Sequence, residues 1–215
     1  MRHIHPIQPI ALIILIVVLI YYKRKTAAPA DGAKPGGEAK PRSTVSQPVK
    51  PEESAETIFK NLRREALATT ADKLVLGRTY AADEPYGLLM EMEISGSVVT
   101  LVCFATGDAS VYYRTGGGMV GGSAHETVRK AAVELVLQTR AALPRMIQAG
   151  GHPLPGPGKV RFYALTPKGV YTTETDRESL ADPESPLGPL FYSGQEVVTQ
   201  MRLVQEKKSQ RAVGT

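Results

Sequence analysis

From Ile10 to Tyr22 the chain reads IALIILIVVLIYY, thirteen residues with no polar atom before the tyrosine hydroxyls. A run this apolar must leave water, either inside a core or within a bilayer. As a helix it covers roughly 20 Å. Counted back to Ile4 the stretch has 19 residues and covers roughly 28 Å, close to a hydrocarbon thickness of about 30 Å. Pro6, Gln8 and Pro9 suit an interfacial end, Tyr21 and Tyr22 an aromatic belt, and Lys23-Arg24-Lys25 can snorkel to headgroups. A cleaved signal peptide would carry a small-residue site directly after the apolar run, and KRK stands there instead. The expectation is a single transmembrane helix: residues 1–25 form an anchor and residues 4–25 contact the lipid bilayer. The flanking charge, Arg2 before the span and six Lys/Arg from Lys23 to Arg42 after it, places the remainder in the cytoplasm.

Charge divides the 215 residues unevenly. Residues 1–50 hold eight Lys/Arg and two Asp/Glu, a net +6, and residues 51–215 hold 18 and 19, a net −1. The basic excess therefore belongs to the front, where it meets anionic headgroups. The near-neutral remainder lacks the footprint that a phosphate backbone requires, so no nucleic-acid partner is expected. Residues 26–51, TAAPADGAKPGGEAKPRSTVSQPVKP, show no apolar period and read as a disordered tether. A single cysteine, Cys103, excludes an internal disulfide framework. Its apolar neighbours mark it as a packed core thiol.

The segment 52–207 reads as one α+β domain, followed by a frayed tail, 208–215. SAETIFKNLRREALA (54–68) puts Ala55, Ile58, Phe59, Leu62 and Ala66 on one helical face, with Ser54 as N-cap. YGLLMEMEI (86–94) alternates, with Leu88, Met90, Met92 and Ile94 on one side and Glu91 and Glu93 on the other. After a Ser95-Gly96 turn, VVTLVCF (98–104) is apolar on both faces, as in an interior strand. ASVYY follows, and then the glycine-rich loop from Arg114 to Gly122. Ser123 and Glu126 fit a capping box for a helix reaching about Ala149, with Val128, Ala132, Leu135, Val136 and Leu143 inward and Pro144 ending its regular part. The loop HPLPGPG leads to a hairpin, 160–166 and 170–174, around Pro167-Lys168-Gly169. An acidic loop precedes a last helix, about 187–207, with Leu187, Leu190, Phe191, Val198 and Met201 on one stripe.

The order α-β-β-β-α-β-β-α implies a mostly antiparallel sheet with helices against it. By this order of elements, over about residues 54–207, the chain resembles the roadblock and longin-like (profilin-like) domains. The long glycine-rich loop before the central helix departs from a usual roadblock domain. The resemblance implies a dimerising interaction module rather than an enzyme.

The glycine-rich loop is the foremost candidate site. Gly116, Gly118 and Gly121 satisfy GxGxxG between a strand and a helix, and Gly117 and Gly122 have P-loop spacing. Backbone N–H groups at a helix start attract anions, and Arg114 and Ser123 add a charge and a hydroxyl. A dinucleotide site needs a parallel βαβ unit, and a P-loop needs lysine where Ser123 stands. The competing reading has the glycines permit turns with φ > 0 and a close crossing over the sheet. Glu91 and Glu93 lie roughly 7 Å apart on one strand face, and a solvated outer face is the expectation for both. His125 and His152 read as surface residues, His3 and His5 precede the anchor, and no pair has zinc spacing. Tyr112, Tyr113, Tyr163 and Tyr171 read as sheet packing. No catalytic residue, metal or cofactor is assigned. The expected associations are a homodimer or a protein partner, with an anionic-ligand or enzymatic role for the loop as the alternative.

Overall fold

The computed structural model describes residues 54–74 and 77–213, with side chains to residue 210. The anchor and the linker to residue 51 lie outside the described residues. Within them no helix is long and apolar enough to cross a membrane.

The described residues form an α+β fold of three α-helices and a seven-stranded antiparallel sheet. Helix α1, Ala55–Leu67, starts where the Ser54 hydroxyl accepts the Thr57 N–H at 3.2 Å. Strands β1 (Gly87–Ile94) and β2 (Ser97–Phe104) follow, joined by a two-residue turn in which Ser95 and Gly96 both take positive φ, the geometry that matches strand twist. Strands β3 (Ala109–Tyr113) and β4 (Gly118–Met119) complete the first half. Helix α2 spans Glu126–Ala142, β5 Ile147–Gln148, β6 Lys159–Thr166, β7 Gly169–Asp176 and helix α3 Gly188–Val213. The sheet order is β4-β3-β2-β1-β6-β7-β5, with β1 at its centre.

Because side chains alternate along a strand, the sheet has two distinct faces. Leu88, Met90, Met92, Leu101, Cys103 and Phe162 pack under α2 and α3. Leu89, Val98, Val102, Tyr112, Tyr163 and Leu165 pack under α1 with Phe59 and Ala66. On α2, Val128, Ala132, Leu135 and Val136 are buried as expected, and Leu143 is partly so.

Several expectations change. Ser123 does not cap α2: it sits in a 3-10 turn, Gly122–Ala124, and His125 occupies the cap position with no side-chain hydrogen bond. The helix stops at Ala142 rather than near Ala149. Pro144 cannot continue the ladder, so a 3-10 turn, Leu143–Arg145, hands the chain to β5. The acidic loop contains a further 3-10 turn, Glu178–Ala181, that buries Leu180. Helix α3 continues to Val213, into the segment expected to fray. Ile58, expected on the inner face of α1, is 45% exposed.

Candidate functional site

The glycine-rich loop folds back on the sheet. Gly116, Gly117, Gly118 and Gly121 take positive φ, from 78° to 151°. Gly118 pairs with Tyr112 in the β3–β4 ladder, where a Cβ would lie 2.2 Å from the Val111 carbonyl oxygen. A Cβ on Gly122 would lie 2.7 Å from Val128 Cγ1. The loop thus needs glycine for turn geometry and close approach. The Arg114 guanidinium is directed to Glu56 of α1 at 3.1 Å, and that carboxylate also pairs with Lys60 at 3.1 Å.

A different constellation lies on the α1 face of the sheet. Register places Tyr112, Thr100, Glu91, Arg161 and Glu174 in one row across β3, β2, β1, β6 and β7. Glu91 is fully buried, so the solvated outer face expected for it is corrected: α1 covers it. A buried carboxylate requires a cation and hydrogen bonds, and Arg63 of α1 supplies both. Its Nε donates to one Glu91 oxygen at 2.6 Å and its Nη2 to the other at 2.8 Å. Thr100 Oγ1 donates to the same carboxylate at 2.9 Å. Burial opposes the guanidinium's charge, but its bonds to Glu91 and the attraction between them outweigh that, and Arg63 is held above the ordinary arginine value. Arg161 pairs with Glu174 at 2.8 Å.

The same face of the sheet, with Arg63, straps down the loop 152–158. Arg63 Nη1 donates to the His152 carbonyl at 2.9 Å and Nη2 to that of Pro153 at 3.3 Å, and the Tyr163 hydroxyl also donates to Pro153. The Gly156 N–H donates to Glu174 at 3.2 Å and the Gly158 N–H to Glu93 at 3.0 Å. Burial, and then the Glu91 charge, raise the Tyr163 hydroxyl above the usual tyrosine value. The Gly158 bond, together with one donated by the Gly96 N–H, holds the Glu93 carboxyl below the usual glutamate value.

Between α1 and this loop runs an open groove of about 480 Å³. Phe59, Leu67 and Leu154 give it an apolar wall, and Lys60, Arg63, Arg64 and His152 give it polar ones. Among the described residues no acidic side chain lines it. Elsewhere Cys103 is fully buried, which pushes its thiol far above the ordinary value. Among the described residues no three His, Cys, Asp or Glu side chains come together as a metal site would need.

Of the residues singled out by sequence, the glycines and Ser123 build one end of the sheet, and Arg114 joins that end to α1. Arg63, Thr100, Arg161 and the groove carry no motif. The only trace of them in the sequence is that 98–104 is apolar on both faces, which demands cover on both sides and hence a partner for any carboxylate beside it. Compared with known families, curated proteins and solved structures, the chain matches no family model, no curated protein and no solved structure.

Proposed function

We propose that the chain is a membrane-tethered interaction module. Residues 4–25 anchor it as a single-pass helix, 26–51 form the tether, and the α+β domain engages a protein on the cytoplasmic side. The observation that carries this reading is how the ionisable groups are distributed. The fully buried carboxylate, Glu91, is closed on Arg63 and Thr100, so it serves the fold, while the concave surface beside it is an open groove rather than a closed pocket. An open groove with an apolar wall and polar rim suits a macromolecular contact, and a tether raises the local concentration of whatever it presents.

The test has two parts. Full-length protein sediments with membranes, resists extraction by salt and keeps its first residues; recovery in the soluble fraction with an intact N terminus overturns the anchor. A photocrosslinking side chain in place of Ala68, at the groove, yields a discrete protein adduct in cells. Nucleotides and phosphorylated metabolites leave the melting temperature unchanged; a clear rise favours a ligand-binding role for the glycine-rich loop instead.

A further inference from the structure

We infer that the α1 groove takes an acidic peptide segment of a partner protein, seating one apolar side chain between Leu67 and Leu154, over the recessed Phe59, and its flanking carboxylates on Arg64 and Lys60. The inference rests on the interaction-module reading and names the chemistry of its partner. Arg63 is consumed by Glu91 and the two loop carbonyls. Arg64 is exposed and has no ion-pair partner among the described residues. Lys60 is 66% exposed, and its bond to Glu56 is a surface i,i+4 pair, weak enough for another carboxylate to replace. With no acid among the described residues of its walls, the groove favours negative charge at the rim and an apolar group beneath it.

Other occupants fit less well. The linker 26–51 carries four Lys/Arg against two Asp/Glu, the wrong sign. In a second copy of this chain, the acid-rich stretch around Glu178 and Asp182 offers Leu180 as its apolar residue, and Leu180 is fully buried in its own core. A flat anionic lipid surface would meet Lys60 and Arg64 but not the recessed Phe59, which is 2% exposed.

The test uses the full chain in phosphatidylcholine nanodiscs and three labelled probe peptides: leucine flanked by glutamates, leucine flanked by lysines, and glutamates with serine replacing leucine. Fluorescence anisotropy should show binding of the first alone, weakening as salt rises. Arg64→Glu and Lys60→Glu should each lower that affinity by roughly tenfold or more, with unchanged melting temperature because both side chains are exposed. Equal binding of the lysine peptide, or wild-type affinity in both variants, overturns the inference. So does a groove that responds only to phosphatidylserine in the discs. A partner crosslinked elsewhere, with no peptide bound at the groove, sinks this inference and spares the interaction module. Absence of any partner sinks both.

Discussion

On one side of the sheet Leu88, Met90, Leu101, Cys103 and Phe162 meet two helices, α2 and α3, and the contact is mainly apolar, with the buried Gln195 amide donating to the Met92 sulfur. On the other side a row of Tyr112, Thr100, Glu91, Arg161 and Glu174 meets one 13-residue helix and a proline-rich loop. Burial of apolar area is non-directional, worth about 25 cal/mol per Å² wherever shapes fit. Charge-assisted bonds are directional and fail when one partner is withdrawn. The α2/α3 side therefore supplies bulk stability, whereas the α1 side fixes how one helix and one loop lie relative to each other. The groove exists because Arg63 reaches both Glu91 and the carbonyls of His152 and Pro153.

Removing that guanidinium is the strongest way to break the contrast. Arg63→Ala leaves the Glu91 carboxylate, which has no exposed surface, with Thr100 as its remaining side-chain donor. An expected loss of about 3–5 kcal/mol follows, read as a lower urea midpoint at unchanged slope. Glu91→Gln should cost less, because the amide oxygen still accepts and Arg63, 11% exposed, retains the loop carbonyls. The pair Arg63→Met with Glu91→Leu should recover most of the loss, since apolar replacement removes both desolvated charges together. A cost below about 1 kcal/mol for Arg63→Ala would mean that apolar contact alone holds α1, and the distinction between the faces would disappear.

The helices and long strands were legible because each repeats its period several times. Met90 and Met92 alternate with Glu91 and Glu93, Val128 to Val136 recur at helical spacing, and Pro144 ends α2 where its chemistry requires. Strands β4 and β5 have two residues each, too few to alternate. β4 folds back on the neighbouring β3 through the glycine turn, and β5 pairs with β7, distant in sequence. The Ser123-x-x-Glu126 pattern matched a capping box that the fold does not use, because a 3-10 turn ends on Ala124 and delivers His125 to the cap. The burial of Glu91 is hidden from the sequence for a related reason. Alternation assigns residues to a face but does not say whether that face is covered, and its cation lies 28 positions earlier within KNLRRE.

The two helix starts sharpen the contrast at smaller amplitude. Ser54 caps α1 through Thr57 N–H, so Ser54→Ala should cost about 1 kcal/mol and speed amide exchange in α1 while leaving α2 protected. Ser123→Ala, at the start of α2, should fall within about 0.5 kcal/mol of wild type, because α2 depends on Val128, Ala132 and Leu135 beneath it and its cap makes no side-chain bond. Equal losses would place α2 under the same directional control as α1.

The smallest effect concerns pH and centres on Glu93 of the polar face. Glu93 accepts N–H bonds from Gly158 and Gly96, and its carboxyl is held below the usual glutamate value by those bonds. A depressed carboxylate stabilises the fold fully above its unfolded pKa, about 4.3, and that contribution is lost as pH falls through the lower folded value. Acidification should therefore release the Gly158 end of the loop before the apolar core yields. Hydrogen exchange at Gly158 and Lys159 should rise below about pH 4.3 while amides of β2 stay protected. Glu93→Gln should show the faster exchange already at neutral pH and little further change on acidification. If β2 and Gly158 open together across that range in the wild type, the loop has no separate strap, and the sheet responds to acid as one unit.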